Sequence, residues 1–228
     1  MLAGPNGAGK SSLIRTLASL YPPSSGSVFI AGNSLSDRRQ LRRARSWIGY
    51  LPQDASFPGH FTAIDAVEYA AWLAKVARGH RRKAARAALG AFGATHLADR
   101  RIGQMSVGER QTVYLAQATV HEPRLLLLDE PSSSVDSSHR ARLRHLLRAW
   151  SRSRLVVLAT HLVEEVELLG DRVVVLDRGL VLFDGSARGL EELAPPNQAI
   201  GDERPIETAL RFLTESHSCT PRPDLQAE

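Results

Sequence analysis

The run Gly4-Pro5-Asn6-Gly7-Ala8-Gly9-Lys10-Ser11-Ser12, almost at the amino terminus, limits the architecture of this chain more than any other segment. Its spacing, G-x-x-x-x-G-K-S, is that of a phosphate-binding loop. The glycines let backbone N–H groups turn inward on an anion, because positive φ costs them little. Lys10 is placed to reach the β- and γ-phosphates of a nucleotide, and the Ser11 hydroxyl to ligate Mg²⁺. The helix that opens here points its positive end at the phosphates. Such a loop follows a buried strand, yet only Met1-Leu2-Ala3 precede it. The chain is therefore expected to begin in mid-strand or to lack its natural start, Met1 then being an internal methionine of a longer reading frame.

With 228 residues and 43% apolar content, the chain can form one large domain, or a domain with a subdomain, around a substantial core. The longest apolar runs, Leu125–Leu128 and Leu155–Ala159, are strand-sized and far short of a membrane span. No signal peptide is visible. Cys219 is the single cysteine, so no intrachain disulfide can form, and a reducing cytoplasmic setting is expected. Net charge is +5, carried mostly by arginine. The arginines are scattered and not interleaved with aromatics, which argues against a nucleic-acid partner. The densest group, Arg38 to Arg45, has Leu41 and Ala44 as the buried side of a short helix.

Periodicity predicts a helix over 11–20 with Leu13, Ile14, Leu17 and Leu20 as its apolar stripe, and strands at 27–31 and 47–51. Helices are expected at 62–77, with Gly79 as C-cap, at 81–92, and from a Ser106 cap to about His121. A strand at 124–128, near-continuously apolar as parallel strands are, a helix at 135–151, a strand at 155–160 and a helix at 162–169 follow. Arg178-Gly179 signals a hairpin between 171–177 and 180–184. Beyond Gly185 a loose tail is expected, with one short helix at 207–213 and disorder from Cys219 onward.

A second landmark is the strand Leu125–Leu128 running into Asp129 and Glu130. It sets two carboxylates at the sheet's carboxyl edge, where open α/β sheets bind ligands. Asp129 suits Mg²⁺, which prefers oxygen ligands, and Glu130 suits polarising a water that attacks a γ-phosphate. Four more elements follow a fixed order along the chain: Gln53 beyond the 47–51 strand, Ser106-Val107-Gly108-Glu109 before a helix, Asp136 shortly after Glu130, and His161 after the 155–160 strand.

With these motifs in this order, residues 1–185 resemble the nucleotide-binding subunit of an ATP-binding cassette (ABC) transporter. The resemblance implies an α/β P-loop NTPase with a mixed central sheet, flanking helices, an inserted helical subdomain at about 54–120, and a C-terminal tail over 186–228. It implies that Gly4, Asn6, Gly7, Ala8, Gly9, Lys10, Ser11 and Ser12 bind the nucleotide as the Walker A loop. Asp129 is then the Walker B aspartate and Glu130 the catalytic glutamate. Gln53 is the Q-loop glutamine that senses metal and water, and His161 the switch histidine. Ser11, Gln53 and Asp129 would hold Mg²⁺. Ser106, Gly108 and Glu109 match the signature motif, which binds the γ-phosphate of ATP held by the opposite subunit, and Asp136 matches the D-loop aspartate. The same resemblance implies ATP as substrate, a homodimer or heterodimer of cassettes, and separate integral-membrane permease subunits. It also implies a peripheral place on the inner face of the cell membrane. Phe57–Thr62 and the 171–184 hairpin look most like bacterial exporters with a separate permease.

The sequence departs from the family pattern at two places. Val107 stands where glycine is usual, and a β-branched residue there resists positive φ. The family's adenine-stacking aromatic has no counterpart at its expected place. Two readings besides a transport ATPase therefore stand: a non-transport ABC ATPase, and a hydrolysis-impaired nucleotide-binding regulatory module.

Overall fold

In a computed structural model of the chain, residues 1–133, 135–195 and 200–218 are described. Ser134, and Cys219 with the terminal run expected to be disordered, lie outside the described residues. The chain divides into two compact units, residues 1–10 with 159–228 and residues 11–158.

The larger unit takes up all but the first residue of α1 (Lys10–Leu17) and continues with a two-stranded hairpin, β2 (Phe29–Ile30) and β3 (Asn33–Ser34). Helix α2 (Arg38–Arg45) follows, capped by the Asp37 carboxylate, and delivers the chain to β4 (Ile48–Leu51). Helices α3 (Ala63–Leu73), α4 (Arg81–Ala91) and α5 (Val107–Thr119) then pack on one another. Their buried positions are mostly small, among them Ala63, Ala66, Ala71, Ala85, Ala88 and Ala116, so the helix axes can approach closely. Strand β5 (Leu125–Asp129) is buried at every residue and pairs in parallel with β4, Ile48 opposite Leu125 through Leu51 opposite Leu128. A strand covered on both faces must be apolar throughout, as this one is until its last residue. Gly49 is required here. A Cβ would press on the Ala118 carbonyl and come within 2.8 Å of Pro123 Cγ, lifting α5 off the strand. Helix α6 (Ser137–Ser151) leads on to β6 (Leu155–Ala159), which lies beside β5.

In the smaller unit β1 (Leu2–Ala3) is an interior strand. Leu2 faces Ala159 on one side and Val174 of β7 (Val173–Asp177) on the other, both in parallel. Strand β8 (Leu180–Gly185) returns antiparallel to β7, so the sheet is mixed. Arg178 (φ 49°) and Gly179 (φ 83°) make the tight turn between them. Helices α7 (Val163–Leu169), α8 (Ala187–Glu191) and α9 (Pro205–Ser218) complete the unit. Ala3, Val166, Val173, Val175, Leu190, Ile206 and Ala209 form its core.

The structure corrects several expectations. Helices α1 and α3 stop three and four residues early, at Leu17 and Leu73. Each end turns through a left-handed residue, Ser19 (φ 61°) and Lys75 (φ 62°), and the next N–H bonds back, Leu20 to the Arg15 carbonyl and Val76 to that of Ala71. Glycine usually fills this position, so its absence hid both stops, and Gly79 caps nothing. The apolar side chains buried here are Ile14 in α1 and Ala18 just past its end, while Leu13 and Leu20 are exposed. The described residues beyond Gly185 are no loose tail: α8 was unforeseen, and α9 is twice the expected length, starting on a proline suited to a first helical position. Both carry core residues, Leu190, Ile206 and Ala209.

Candidate nucleotide-binding site

The phosphate loop takes its shape from its own glycines and from the β7–β8 turn. Gly4 adopts φ 143°, and a Cβ there would run into the Leu176 carbonyl, so no other residue fits. Gly9 adopts φ 100° directly against Gly179. The Gly179 N–H donates to the Ala8 carbonyl (2.9 Å), and the Ala8 N–H to that of Pro5 (3.2 Å). Asn6 and Gly7 are exposed at the loop's tip, and Ser12 is exposed one residue beyond Ser11. Lys10 is only 4% exposed. Its ammonium curls back to donate to the carbonyls of Gly4 (2.8 Å) and Pro5 (2.9 Å), so a buried cation lies under the loop's concave backbone. His161 is exposed just past β6. With Gly4, Pro5, Thr160 and Arg211 it borders a cavity of about 240 Å³ in the smaller unit.

In the larger unit the Ser11 hydroxyl donates to Asp129 Oδ1 at 2.8 Å, across 118 residues of sequence. Asp129 is fully buried at the end of β5. Glu130 follows in a left-handed conformation (φ 48°), rare for a side-chain-bearing residue and characteristic of strained functional positions. Gln53 Nε2 lies 3.5 Å from Glu130 Oε2, at the limit of hydrogen bonding. The structure thus assembles Ser11 with Asp129, and Gln53 with Glu130, from segments that the sequence scatters.

Two helix starts carry the remaining motif residues. Ser106 caps α5 in a reciprocal box: the Glu109 N–H donates to Ser106 Oγ (3.2 Å), and the Ser106 N–H donates to Glu109 Oε2 (2.8 Å). Arg100 donates to the other Glu109 oxygen at 2.6 Å. The Ser106 amide first, and then Arg100, hold the Glu109 carboxyl below the usual glutamate range. Val107 is the exposed first residue of α5 and has helical, not positive, φ, so its β-branch causes no backbone conflict. Gly108 is buried beneath the imidazole of His139. Asp136 caps α6: Oδ1 accepts from the Ser138 hydroxyl (2.6 Å) and from the Ser138 and His139 N–H groups (3.0 Å each), and Oδ2 lies 2.7 Å from His139 Nδ1. These bonds, the Ser138 hydroxyl foremost, hold the Asp136 carboxyl far below the usual range.

Sequence reasoning missed Arg100 and His139. Nothing in the spacing marks Arg100, whereas His139 stands three residues after a helix-capping aspartate, a position from which a side chain can return to the cap.

The family model described as ABC transporter matches residues 1–133. An uncharacterized ABC transporter ATP-binding protein of Bacillus subtilis, YxlF, is 30% identical, with 99% of this chain and 78% of the relative aligned. The molybdate/tungstate import ATP-binding protein WtpC of Archaeoglobus fulgidus is 36% identical over 83% of this chain and 78% of its own length. Among solved structures, the ATP-binding cassette MJ0796, a dimer in a post-hydrolysis state with ADP and Pi, superposes with a TM-score of 0.73 at 27% identity. That superposition covers 82% of this chain and 84% of MJ0796. A family model matching more than half of the chain, and relatives aligned along most of it, show that the chain belongs to the ABC transporter family as an ATP-binding ATPase subunit.

Proposed function

We propose that this ATPase works as one of a pair of cassettes, and that its cycle powers export through separate integral-membrane permease subunits at the inner face of the cell membrane. The observation that carries the catalytic part is the Ser11–Asp129 bond with Glu130 next in the chain and Gln53 beside it.

In this reading Gly4 to Ser12 cradle the phosphates, and Lys10 exchanges loop carbonyls for phosphate oxygens, a stronger set of partners for an ammonium. The hydroxyl of Ser11 and the carboxylate of Asp129 are hard oxygen donors already within 2.8 Å of each other, which suits Mg²⁺, with Gln53 as a further oxygen donor. Mg²⁺ bound there would neutralise charge on the β- and γ-phosphate oxygens. Glu130 accepts a proton from the attacking water, and its left-handed backbone turns it off the run of the strand to do so. His161, at the end of β6, orients the γ-phosphate. Ser106, Gly108 and Glu109 present the start of α5 to ATP held by the other cassette, with Asp136 beside that contact. Two chains, identical or paired with a different cassette, packed head-to-tail about a twofold satisfy both ends, and loss of the γ-phosphate removes the preference for the closed pair. The export direction rests on the likeness of Phe57–Thr62 and the β7–β8 hairpin to exporters with a separate permease.

The test is the Glu130→Gln chain. ATP hydrolysis should fall roughly 100-fold or more, while ATP-bound dimers persist in sedimentation. Equal rates in wild type and variant would remove Glu130 from its role. Co-purification with a multi-span membrane protein supports transport, whereas co-purification with nucleic acid supports the non-transport reading.

A further inference from the structure

Two helix starts that the proposed function gives to one task are bridged by the imidazole of His139. His139 sits in the first turn of α6. Its Nδ1 lies 2.7 Å from Asp136 Oδ2, and a carboxylate can only accept, so Nδ1 carries the hydrogen. The other Asp136 oxygen accepts from the Ser138 hydroxyl and two helix N–H groups, and the imidazole adds the bond to Oδ2 that fixes the carboxylate from its second side. The same ring lies flat over Gly108 in the first turn of α5. A Cβ built at Gly108 would stand 2.5 Å from His139 Cγ and 2.7 Å from Nε2, inside the ring's van der Waals envelope. Gly108 is buried there although Ser106 and Val107 before it are exposed. A glycine in a helix's first turn is explained here by what rests on it.

We propose that His139 is a positioning residue that holds the Asp136 loop in register with the signature turn, so that both meet the second cassette as one rigid unit. The proposal rests on the two-cassette reading. Asp136 is exposed and His139 about one-third exposed, so the pair adds little to stability. Its effect is geometric: it couples Asp136 and Gly108, which belong to different helices and share no hydrogen bond of their own among the described residues. Deleting the ring leaves each helix capped by its own residues, Ser106 and Asp136, while removing the imidazole that touches both first turns.

The test uses the full chain, measuring steady-state ATPase, ATP binding to the single cassette, ATP-dependent dimerisation in the Glu130→Gln background, and Tm. His139→Ala should leave ATP binding by the single cassette and Tm close to wild type. It should lower kcat and weaken the ATP-dependent dimer about ten-fold, with little change in KM. His139→Gln, whose amide can donate to Asp136 and lie over Gly108, should recover most of the loss. Gly108→Ala should cost as much as His139→Ala, because its methyl displaces the ring. The two changes together should cost little more than either one. Wild-type kcat and dimerisation in His139→Ala would overturn the proposal, as would fully additive losses in the double variant or a loss explained by Tm alone. If the Glu130→Gln chain itself fails to dimerise with ATP, the two-cassette reading falls, and the proposal with it.

Discussion

The phosphate loop and the Ser106 turn, which the proposed function gives the same task of meeting phosphate at a helix start, are held in opposite ways. The loop is held by backbone. Gly4 and Gly9 adopt conformations closed to other residues, Gly179 clamps Ala8, and a buried Lys10 is satisfied by the loop's own carbonyls. The signature turn is held by exposed side chains, Ser106 and Glu109 capping each other and Arg100 bracing Glu109. A phosphate entering the loop replaces neutral carbonyls around a cation, a favourable exchange. A phosphate arriving at Ser106 must compete with Glu109, a carboxylate already on the Ser106 N–H. The first site should therefore fill in a lone chain, and the second only when another cassette brings ATP to it.

Four experiments would break or sharpen this contrast. The largest effect is expected at Lys10. Lys10→Ala removes the buried cation beneath the loop, and ATP binding by the single chain, read by titration calorimetry, should weaken at least 100-fold. Retained affinity would mean that the loop's amides alone hold the phosphates. Ser106→Ala comes next. It should leave that affinity unchanged, weaken the ATP-dependent dimer about ten-fold, and cost about 1 kcal/mol of stability in denaturant unfolding, the usual loss for a helix cap. A drop in single-chain affinity would show that the two helix starts are not independent. Arg100→Gln should have a milder effect, two- to three-fold on dimerisation. That effect should shrink as salt rises, since the Arg100–Glu109 pair is half exposed and screened.

The smallest effect concerns acid. The folded Glu109 carboxyl lies below its ordinary value of 4.5, so it holds fewer protons than the unfolded chain near that pH. Its stabilising contribution is thus complete above the ordinary glutamate range and is lost only as pH falls through the lowered value. The stability difference between wild type and Glu109→Gln, followed by circular dichroism against pH, should persist through pH 5 and fade below about 4. A difference that grows on acidification would contradict the sign of this linkage.

Most of the site was legible in the sequence because its chemistry depends on local spacing. The glycine pattern of residues 4–9, the acidic end of an apolar strand and the Ser106-to-Glu109 interval each specify a turn or a cap by themselves, and each forms as expected. Boundaries were less legible where an uncommon residue performed a common task. Ser19 and Lys75 take the left-handed position that a glycine would have announced. Of the final helices α8 was missed and α9 was foreseen at half its length, because short amphipathic segments are weakly periodic, and it is packing against the apolar residues of β7 that makes their apolar side worth burying.

By itself, the sequence determined which residues could bind phosphate, supply oxygen to a metal ion and cap the helices, because those abilities depend on side-chain type and on neighbours within about four positions. Only the tertiary structure decided which of them meet. Ser11 reaches Asp129 across 118 residues, and one imidazole comes to rest on Gly108 while holding Asp136. Such contacts arise from how strands and helices stack to bury apolar surface, a property of the whole chain that no local spacing encodes.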